Sequence, residues 1–149
     1  MSDDLRDLYQ EVILDHSKRP RNFKVLPAAN RSAEGYNPLC GDKLKLFVKV
    51  ENDVVVDVSF VGSGCAISTA SASLMTESLK GKTRQEAFKL LEKFHELLTT
   101  DTAVSQDLGK LVVFCGVRDY PARVKCATLA WHTLKSALGT ELPEPVTTE

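Results

Sequence analysis

Hydrophobic residues near the start of the chain recur at the spacing of an amphipathic helix. Apolar side chains three or four positions apart share one face of a helix, so this pattern predicts a helix with one buried stripe. The helix must end before Pro20, which cannot continue the backbone hydrogen bonds. The predicted stripe consists of Leu5, Leu8, Tyr9, Val12 and Ile13.

Two stretches of strict alternation then predict a β-hairpin. Apolar residues at positions 44, 46, 48 and 50 alternate with Lys43, Lys45, Phe47 and Lys49. After the turn sequence END, the apolar positions of the second stretch are Val54, Val56, Val58 and Phe60. Such alternation is typical of strands with one buried face. A short additional strand is expected around residues 33–37.

The second half of the chain predicts helices. A segment rich in small residues follows the glycine-rich GSGC sequence, with Gly81 as a plausible stop. Residues 83–86 form a capping box that opens the next helix. The run KLVVFCGV fits either a short helix or a strand. A last helix is expected from Pro121 to about Leu138, with Gly139 ending it.

The buried faces of two of these helices can also be read from spacing. The first helix of this half is expected to face the core through Ile67, Ala70, Leu74 and Leu79. The second is expected to bury Ala87, Leu90, Leu91, Phe94 and Leu98. Both sets follow the helical period.

The order of elements predicts one α+β domain over residues 1–149. Helices would pack on one face of a small antiparallel sheet, made of the hairpin and a possible short third strand. The sequence shows no internal repeat and no domain boundary. Residues 140–149 are expected to be a disordered tail.

Composition narrows the class of protein. The formal net charge is −1, which argues against nucleic-acid binding, and no apolar run approaches the roughly 20 residues needed to span a membrane. The N-terminus lacks the basic and apolar regions of a signal peptide. We therefore expect a cytoplasmic protein with no membrane partner. In that reducing compartment the 4 cysteines favour metal ligands, catalytic thiols or core residues over disulfides.

Three cysteines are predicted to meet at one edge of the sheet. Cys40 lies just before the first long strand and Cys65 just after the second, and these two ends of a hairpin are adjacent. Cys126 lies one turn into the last helix, which can bring a third sulfur. Asp42 adds a carboxylate, and three thiolates with one carboxylate suit Zn²⁺ or iron–sulfur chemistry. Nearby glycines at positions 41, 62 and 64 allow close approach.

Simpler interpretations of these residues stay open. Each cysteine taken alone fits a small buried hydrophobic residue, and Asp42 fits a strand cap or a turn former. Cys115, within an apolar run, is assigned to the core. His16 and His95 are expected in solvent, and His132 is expected to point away from Cys126.

Two basic residues flank Cys126. Arg123 lies one helical turn before it, so its guanidinium can hydrogen-bond a thiolate. Lys125 precedes it directly. Either side chain also fits an ordinary solvated position.

Four stretches together resemble one family over nearly the whole chain. They are LYQEVILDHSKRPRN, NPLCGDKLKLFVKV, GSGCAISTASASLMTE and GVRDYPARVKCATLAWHTL, and they are similar to the U-type iron–sulfur cluster assembly proteins. In the IscU-like scaffold branch a histidine precedes the last-helix cysteine. In the SufU branch that position is a lysine, and about twenty extra residues precede the helix. Lys125 and the segment TTDTAVSQDLGKLVVFCGVRDY resemble the SufU branch.

The resemblance implies a chemistry and a partner. It implies a zinc ion held by Cys40, Asp42, Cys65 and Cys126, and a zinc-dependent sulfurtransferase activity. The sulfur would come from the persulfide of a SufS-like, pyridoxal-phosphate cysteine desulfurase and pass to downstream assembly machinery. A monomer that docks on the desulfurase is expected.

Within that expectation, the residues suggest separate roles. Cys40 lies on a loop between proline and glycine, so it is the predicted sulfur acceptor, whereas Cys65 and Cys126 lie on helices. Arg123 is assigned the stabilisation of negative sulfur. Two alternatives remain. One is a scaffold that binds iron or a transient [2Fe–2S] cluster and transfers the cluster, and the other is a zinc site that only stabilises the fold.

Overall fold

The chain folds as a sheet with helices on one side. The structure, a computed structural model, describes residues 3–99, 106–139 and 146–147. The elements in chain order are helix α1 (Asp3–Lys18), strands β1 (Arg31–Asn37), β2 (Asp42–Glu51) and β3 (Val54–Ser63), helices α2 (Ala66–Leu79) and α3 (Arg84–Thr99), a 3₁₀ segment (Gln106–Asp119), helix α4 (Pro121–Gly139) and strand β4 (Val146–Thr147). The sheet has the strand order β3-β2-β1-β4. The predicted α+β class is confirmed, including the third antiparallel strand.

The hairpin of β2 and β3 turns through two residues. Asn52 and Asp53 have φ values of 51° and 65°, the left-handed conformation that both central residues of a type I′ turn adopt. This turn matches the twist of the strands. β1 pairs antiparallel with the other side of β2, so β2 lies at the centre of the antiparallel sheet.

The prediction for the start of β3 is wrong at two positions. Val55 is completely buried, whereas Val56 is 41% exposed, and Val54 is only half-buried. The pairing changes from Lys49 with Asp57 to Val50 with Val55, which leaves Val56 as an extra residue in a β-bulge. A bulge reverses the in–out alternation, and strict periodicity cannot anticipate it.

Helices α2 and α4 form the layer nearest the sheet. α4 packs on β1 and β2, and α2 packs on β3 and α4. Small side chains on α2 let the two helices approach closely. The Ser71 hydroxyl donates a hydrogen bond to the carbonyl of Ala127 at 2.6 Å and accepts one from the Trp131 indole at 3.1 Å. These bonds satisfy polar groups in the core.

The predicted boundaries and stripes of α2 and α3 largely hold. Gly81, at φ 87°, follows the end of α2, and the Thr83–Glu86 capping box opens α3 through two reciprocal hydrogen bonds of 3.0 and 3.1 Å. The predicted inward residues of both helices are buried except Ile67 and Leu91, which are partly buried against the core. The ambiguous KLVVFCGV run is helical, within the 3₁₀ segment.

Helix α1 differs from its predicted stripe. Tyr9, Val12 and Ile13 pack against the core, but Leu8 is 53% exposed. The side chain of Leu5 lies outside the described residues. His16, expected in solvent, is 3% exposed. Its ring lies against α2, where a hydrogen bond with Ser73 replaces water.

The predicted disordered tail is also corrected in part. Val146 and Thr147 form β4, which pairs parallel with Gly35 and Tyr36 of β1. The outer edge of β1 offers unpaired N–H and C=O groups, and β4 satisfies them. Residues 140–145 and 148–149 lie outside the described part of the chain. No helix among the described residues has both the length and the apolar character required to cross a membrane.

Candidate metal centre

Pairing of the strands brings the predicted site residues to one end of the sheet. Asn37 ends β1 and pairs with Asp42, the first residue of β2, and the loop between them carries Cys40. Lys43 pairs with Ser63, so the chain leaves β3 beside the start of β2 and enters α2 just after Cys65. The first turns of α4 reach the same end with Cys126.

Three potential ligands converge there. The sulfurs of Cys40 and Cys126 and a carboxylate oxygen of Asp42 all lie within 4.8 Å of one another. The two sulfurs are 3.1 Å apart. Two thiols and a carboxylate at these separations can close around one ion with little movement, since zinc–sulfur bonds are about 2.3 Å long.

Asp42 is held from two sides in a completely buried position. Its Oδ1 accepts a hydrogen bond of 2.8 Å from the backbone N–H of Cys65, and its Oδ2 accepts one of 3.4 Å from the Asn37 amide. Both donors are neutral. A buried carboxylate requires a compensating charge, and a cation between Asp42 and the thiols would supply it.

Cys65 lies beside this group as the N-cap of α2. Its Sγ accepts a hydrogen bond of 3.4 Å from the backbone N–H of Ser68. Cys65 is not within the 4.8 Å group, although its thiol is close enough to Cys126 to influence the pKa of that residue.

The two thiols in closest contact have different surroundings. Cys126 is buried, whereas Cys40 is exposed on its loop. Burial raises the pKa of the Cys126 thiol, and hydrogen bonds with Cys40 and Asp42 raise it further. Without a cation the protein therefore favours a neutral thiol at Cys126, and a bound cation reverses that preference.

Gly64 provides the room for Asp42. A Cβ atom at this position would lie 2.7 Å from Asp42 Oδ1, closer than non-bonded atoms approach. The sequence prediction that a glycine here allows close approach agrees with this spacing.

Asn37 is a part of the centre that sequence reasoning missed. It is completely buried, and its amide nitrogen lies 3.6 Å from Cys126 Sγ as well as 3.4 Å from Asp42 Oδ2. The sequence signal is its position in NPLCGD, three residues before Cys40 and at the end of the expected strand 33–37.

The other residues considered in the sequence analysis do not belong to the group of Cys40, Asp42 and Cys126. The guanidinium of Arg123 lies 5.7 Å from the ring centroid of Tyr120, at the exposed start of α4, and its role toward sulfur stays a prediction. Lys125 is half-buried. Cys115 packs against the core, in agreement with its assignment, and the His132 ring faces His95 at 6.3 Å.

The donor set fits zinc. Cys40, Cys126 and Asp42 could supply three ligands, and Cys65 lies beside them at the N-terminus of α2. Tetrahedral sites rich in thiolate suit Zn²⁺ and iron–sulfur chemistry alike, so the donor atoms alone do not choose between these two.

Comparison with known proteins identifies the family. The NifU-like N terminal domain model matches residues 8–138. The chain is 42% identical over 140 residues to the zinc-dependent sulfurtransferase SufU of Bacillus subtilis, covering 92% of this chain and 93% of that protein. It is 41% identical over 135 residues to the iron–sulfur cluster assembly scaffold protein IscU of Streptococcus pyogenes, covering 90% and 84%.

A solved structure agrees with the sequence relatives. A putative iron–sulfur cluster assembly scaffold protein for the SUF system from Fervidobacterium islandicum superposes with a TM-score of 0.81 at 38% identity, covering 89% of this chain and 98% of that one. The chain therefore belongs to the NifU-like N-terminal domain family, among the iron–sulfur cluster assembly proteins of the IscU and SufU type.

Proposed function

We propose that this protein is a zinc-dependent sulfurtransferase of iron–sulfur cluster biogenesis. It would accept persulfide sulfur from a cysteine desulfurase onto Cys40 and pass it to the cytoplasmic assembly machinery. The observation that carries the proposal is the asymmetry of the metal centre: Cys40 is exposed on a loop, whereas Cys126 and Asp42 are buried.

The proposed ligands are Cys40, Asp42, Cys65 and Cys126. Zinc bound there would keep the cysteine ligands as thiolates while neutralising part of their charge. The protein's own contribution is to fix three of these ligands. Asp42 receives two hydrogen bonds, Cys65 caps α2, and Cys126 lies within the first turns of α4.

Cys40 is the proposed nucleophile. Its thiolate attacks the terminal sulfur of the donor persulfide and forms a new S–S bond. The S–S bond of the donor breaks at the same time, and its electron pair leaves on the donor cysteine as a thiolate. The persulfide oxidation level moves from one protein to the other, so no outside oxidant is required.

The surface around Cys40 suits docking of the desulfurase. Leu39, next to it, is 64% exposed, and Tyr120 is 59% exposed at the start of α4. Burial of such apolar side chains against a partner would exclude water from a transfer between two thiols. Arg123, exposed in the first turn of α4, would stabilise the new persulfide anion with its charge.

Lys125 supports the sulfurtransferase over the scaffold. An ammonium group beside Cys126 offers no lone pair to iron, whereas the histidine found at this position in the scaffold branch does. The scaffold function is nevertheless a second candidate, because the Streptococcus pyogenes relative at 41% identity is named a cluster scaffold.

The test combines metal content with sulfur mapping. The purified protein is incubated with a SufS-type desulfurase and cysteine, turnover is measured as alanine formed, and persulfide is located by mass spectrometry. We expect about one zinc per chain, faster turnover, and persulfide at Cys40. Cys40→Ala should abolish the acceleration. Cys115→Ser, a cysteine packed against the core, is the matched control and should keep both zinc and acceleration.

Two outcomes would contradict the proposal. Full acceleration by Cys40→Ala would show that another group accepts the sulfur. A wild-type protein that accelerates nothing and carries a stable, visible-absorbing cluster when isolated without oxygen would be a scaffold.

A further inference from the structure

Asn37 occupies the junction between the Cys40 loop and the rest of the metal centre. It is the last residue of β1, it is completely buried, and it pairs with Asp42 at the start of β2. The four residues between the two strands carry Cys40. Any movement of this loop must therefore pivot about Asn37 and Asp42.

The Oδ1 atom of the Asn37 side chain fixes the conformation of the loop. Its Oδ1 accepts a hydrogen bond of 3.2 Å from the backbone N–H of Leu39. Its backbone carbonyl accepts another of 2.8 Å from Gly41. An asparagine that bonds the backbone two residues ahead is typical of tight turns.

The other half reaches into the metal centre. Nδ2 lies 3.4 Å from Asp42 Oδ2 and 3.6 Å from Cys126 Sγ. An amide nitrogen carries two hydrogens, so it can donate to both acceptors at once. Both hydrogen bonds strengthen when the acceptors carry negative charge.

Cys40 has different partners. Its sulfur accepts a hydrogen bond of 3.1 Å from the Cys126 thiol, whereas the Asn37 amide donates to Cys126. Departure of Cys40 from the group therefore leaves the bonds from Asn37 to Asp42 and Cys126 intact.

We propose that Asn37 is a positioning residue whose amide holds Asp42 and Cys126 in place while Cys40 leaves the group, so that incoming sulfur reaches Cys40 and not Cys126. This inference rests on the proposed function, because it assumes zinc at the centre and sulfur transfer to Cys40. A hydrogen bond from the amide also lowers the reactivity of the Cys126 thiolate. Asn37 would thus make the two thiols functionally different: Cys40 accepts sulfur, and Cys126 stays bound at the centre.

Two substitutions separate the two halves of the side chain. Asn37→Ala removes the acceptor and the donor. Asn37→Asp keeps an oxygen for the Leu39 N–H but loses the amide donor. The matched control is Asn30→Ala, because Asn30 also bonds the backbone with both side-chain atoms, at 2.7 and 2.9 Å to Val50, outside the metal centre.

The first measurement is zinc affinity, by competition with a chromophoric chelator. We expect both Asn37 variants to bind zinc about 10- to 100-fold more weakly, the usual cost of losing a hydrogen bond to a metal ligand. Asn30→Ala should bind zinc like the wild type. Circular dichroism of each protein checks folding, and Asn37→Asp alone decides the outcome if Asn37→Ala does not fold.

The second measurement is thiol selectivity, which a purely structural role would not change. Zinc-loaded proteins are treated with limiting iodoacetamide, and the labelled cysteines are counted by mass spectrometry. The wild type should be labelled mainly at Cys40, and both Asn37 variants should show at least a severalfold larger share at Cys126.

The outcomes distinguish this inference from the proposed function. Wild-type affinity and labelling in Asn37→Asp would mean that Asn37 only shapes the turn, and the inference would be wrong while the sulfurtransferase stands. A wild type that binds no zinc, or is labelled first at Cys126, would overturn the proposed function itself.

Discussion

Because Gly64 has no side chain, the Asp42 carboxylate can lie directly against its backbone. A methyl group there would lie 2.7 Å from the carboxylate oxygen that accepts the Cys65 N–H. Gly64→Ala is therefore expected to displace Asp42 and weaken zinc binding about tenfold, with little loss of global stability. Zinc competition and urea unfolding measure the two effects separately.

The control for that variant is a glycine with open space. A Cβ at Gly116 meets nothing within 4 Å. Gly116→Ala should leave zinc affinity unchanged. Equal affinities for the two variants would show that the carboxylate position is unimportant.

His16 makes the stability of the fold depend on pH. Burial lowers the pKa of His16 below its usual value of 6.5, with Arg21 and Lys110 acting in the same direction and Glu77 and Asp15 opposing them. The Ser73 hydroxyl shares a hydrogen bond of 2.7 Å with its Nδ1 and accepts the Arg21 N–H at 2.8 Å. The neutral ring thus joins α1 and the segment after it to α2.

The sign of the pH effect follows from proton uptake. Below about pH 6.5 the unfolded chain binds a proton at this histidine before the folded protein does, so the stability contributed by the neutral ring is lost as pH falls toward the lowered pKa. We expect His16→Gln to be less stable than the wild type at pH 7.5, and to lose less stability between pH 7.5 and 5.5. Urea unfolding at both values measures the difference.

The partly buried His132 does not affect this comparison. Burial also lowers the pKa of His132, but that residue is present in both proteins, so its effect cancels. Parallel pH profiles for wild type and His16→Gln would contradict the prediction.

At the scale of elements, the capping box of α3 is a local source of stability. The Thr83 hydroxyl accepts the N–H of Glu86, and the Glu86 carboxylate accepts the N–H of Thr83. Thr83→Ala should cost about 1 kcal/mol in the free energy of unfolding, measured with urea, without affecting zinc. Thr99→Ala, at the other end of the same helix, should change it by less than about 0.5 kcal/mol.

Helices and strands are predictable from the sequence where the local pattern and the tertiary contacts agree. The capping box, the Gly81 stop and the alternation of β2 each act within a few residues, so the sequence predicts them. The bulge at Val56 depends on pairing across the hairpin, and β4 on an edge more than a hundred residues earlier. Burial of His16 depends on Ser73, which is 57 positions away.

The same distinction applies to the candidate site. The adjacent ends of a hairpin predict that Cys40 and Cys65 lie near each other, and the family resemblance adds Asp42 and Cys126 as ligands. The structure groups Cys40, Asp42 and Cys126 within 4.8 Å, with Cys65 beside them. Asn37 was not predicted because an asparagine before a proline is common in loops, and its contact with Cys126 forms only in the folded protein.

At the scale of the whole molecule, a bound metal would link parts that are far apart in sequence. The proposed ligands lie on the loop before β2, at the start of β2, just before α2 and near the start of α4. Removal of zinc with a chelator should therefore lower the melting temperature, and at a zinc concentration 1,000-fold above the dissociation constant the bound ion stabilises the fold by about 4 kcal/mol. Differential scanning calorimetry with and without chelator measures this, and an unchanged melting temperature would contradict it.

The protein's own backbone pairs with part of each edge of the sheet. β4 pairs with β1 at Gly35 and Tyr36. On the far side, Phe60 of β3 exchanges backbone hydrogen bonds with Asn22 and Lys24 at 3.0 and 2.9 Å. A partner that binds by adding its own strand requires an open border. At these positions that route is closed, so we expect a partner to recognise this protein through side chains rather than by adding a strand to the sheet.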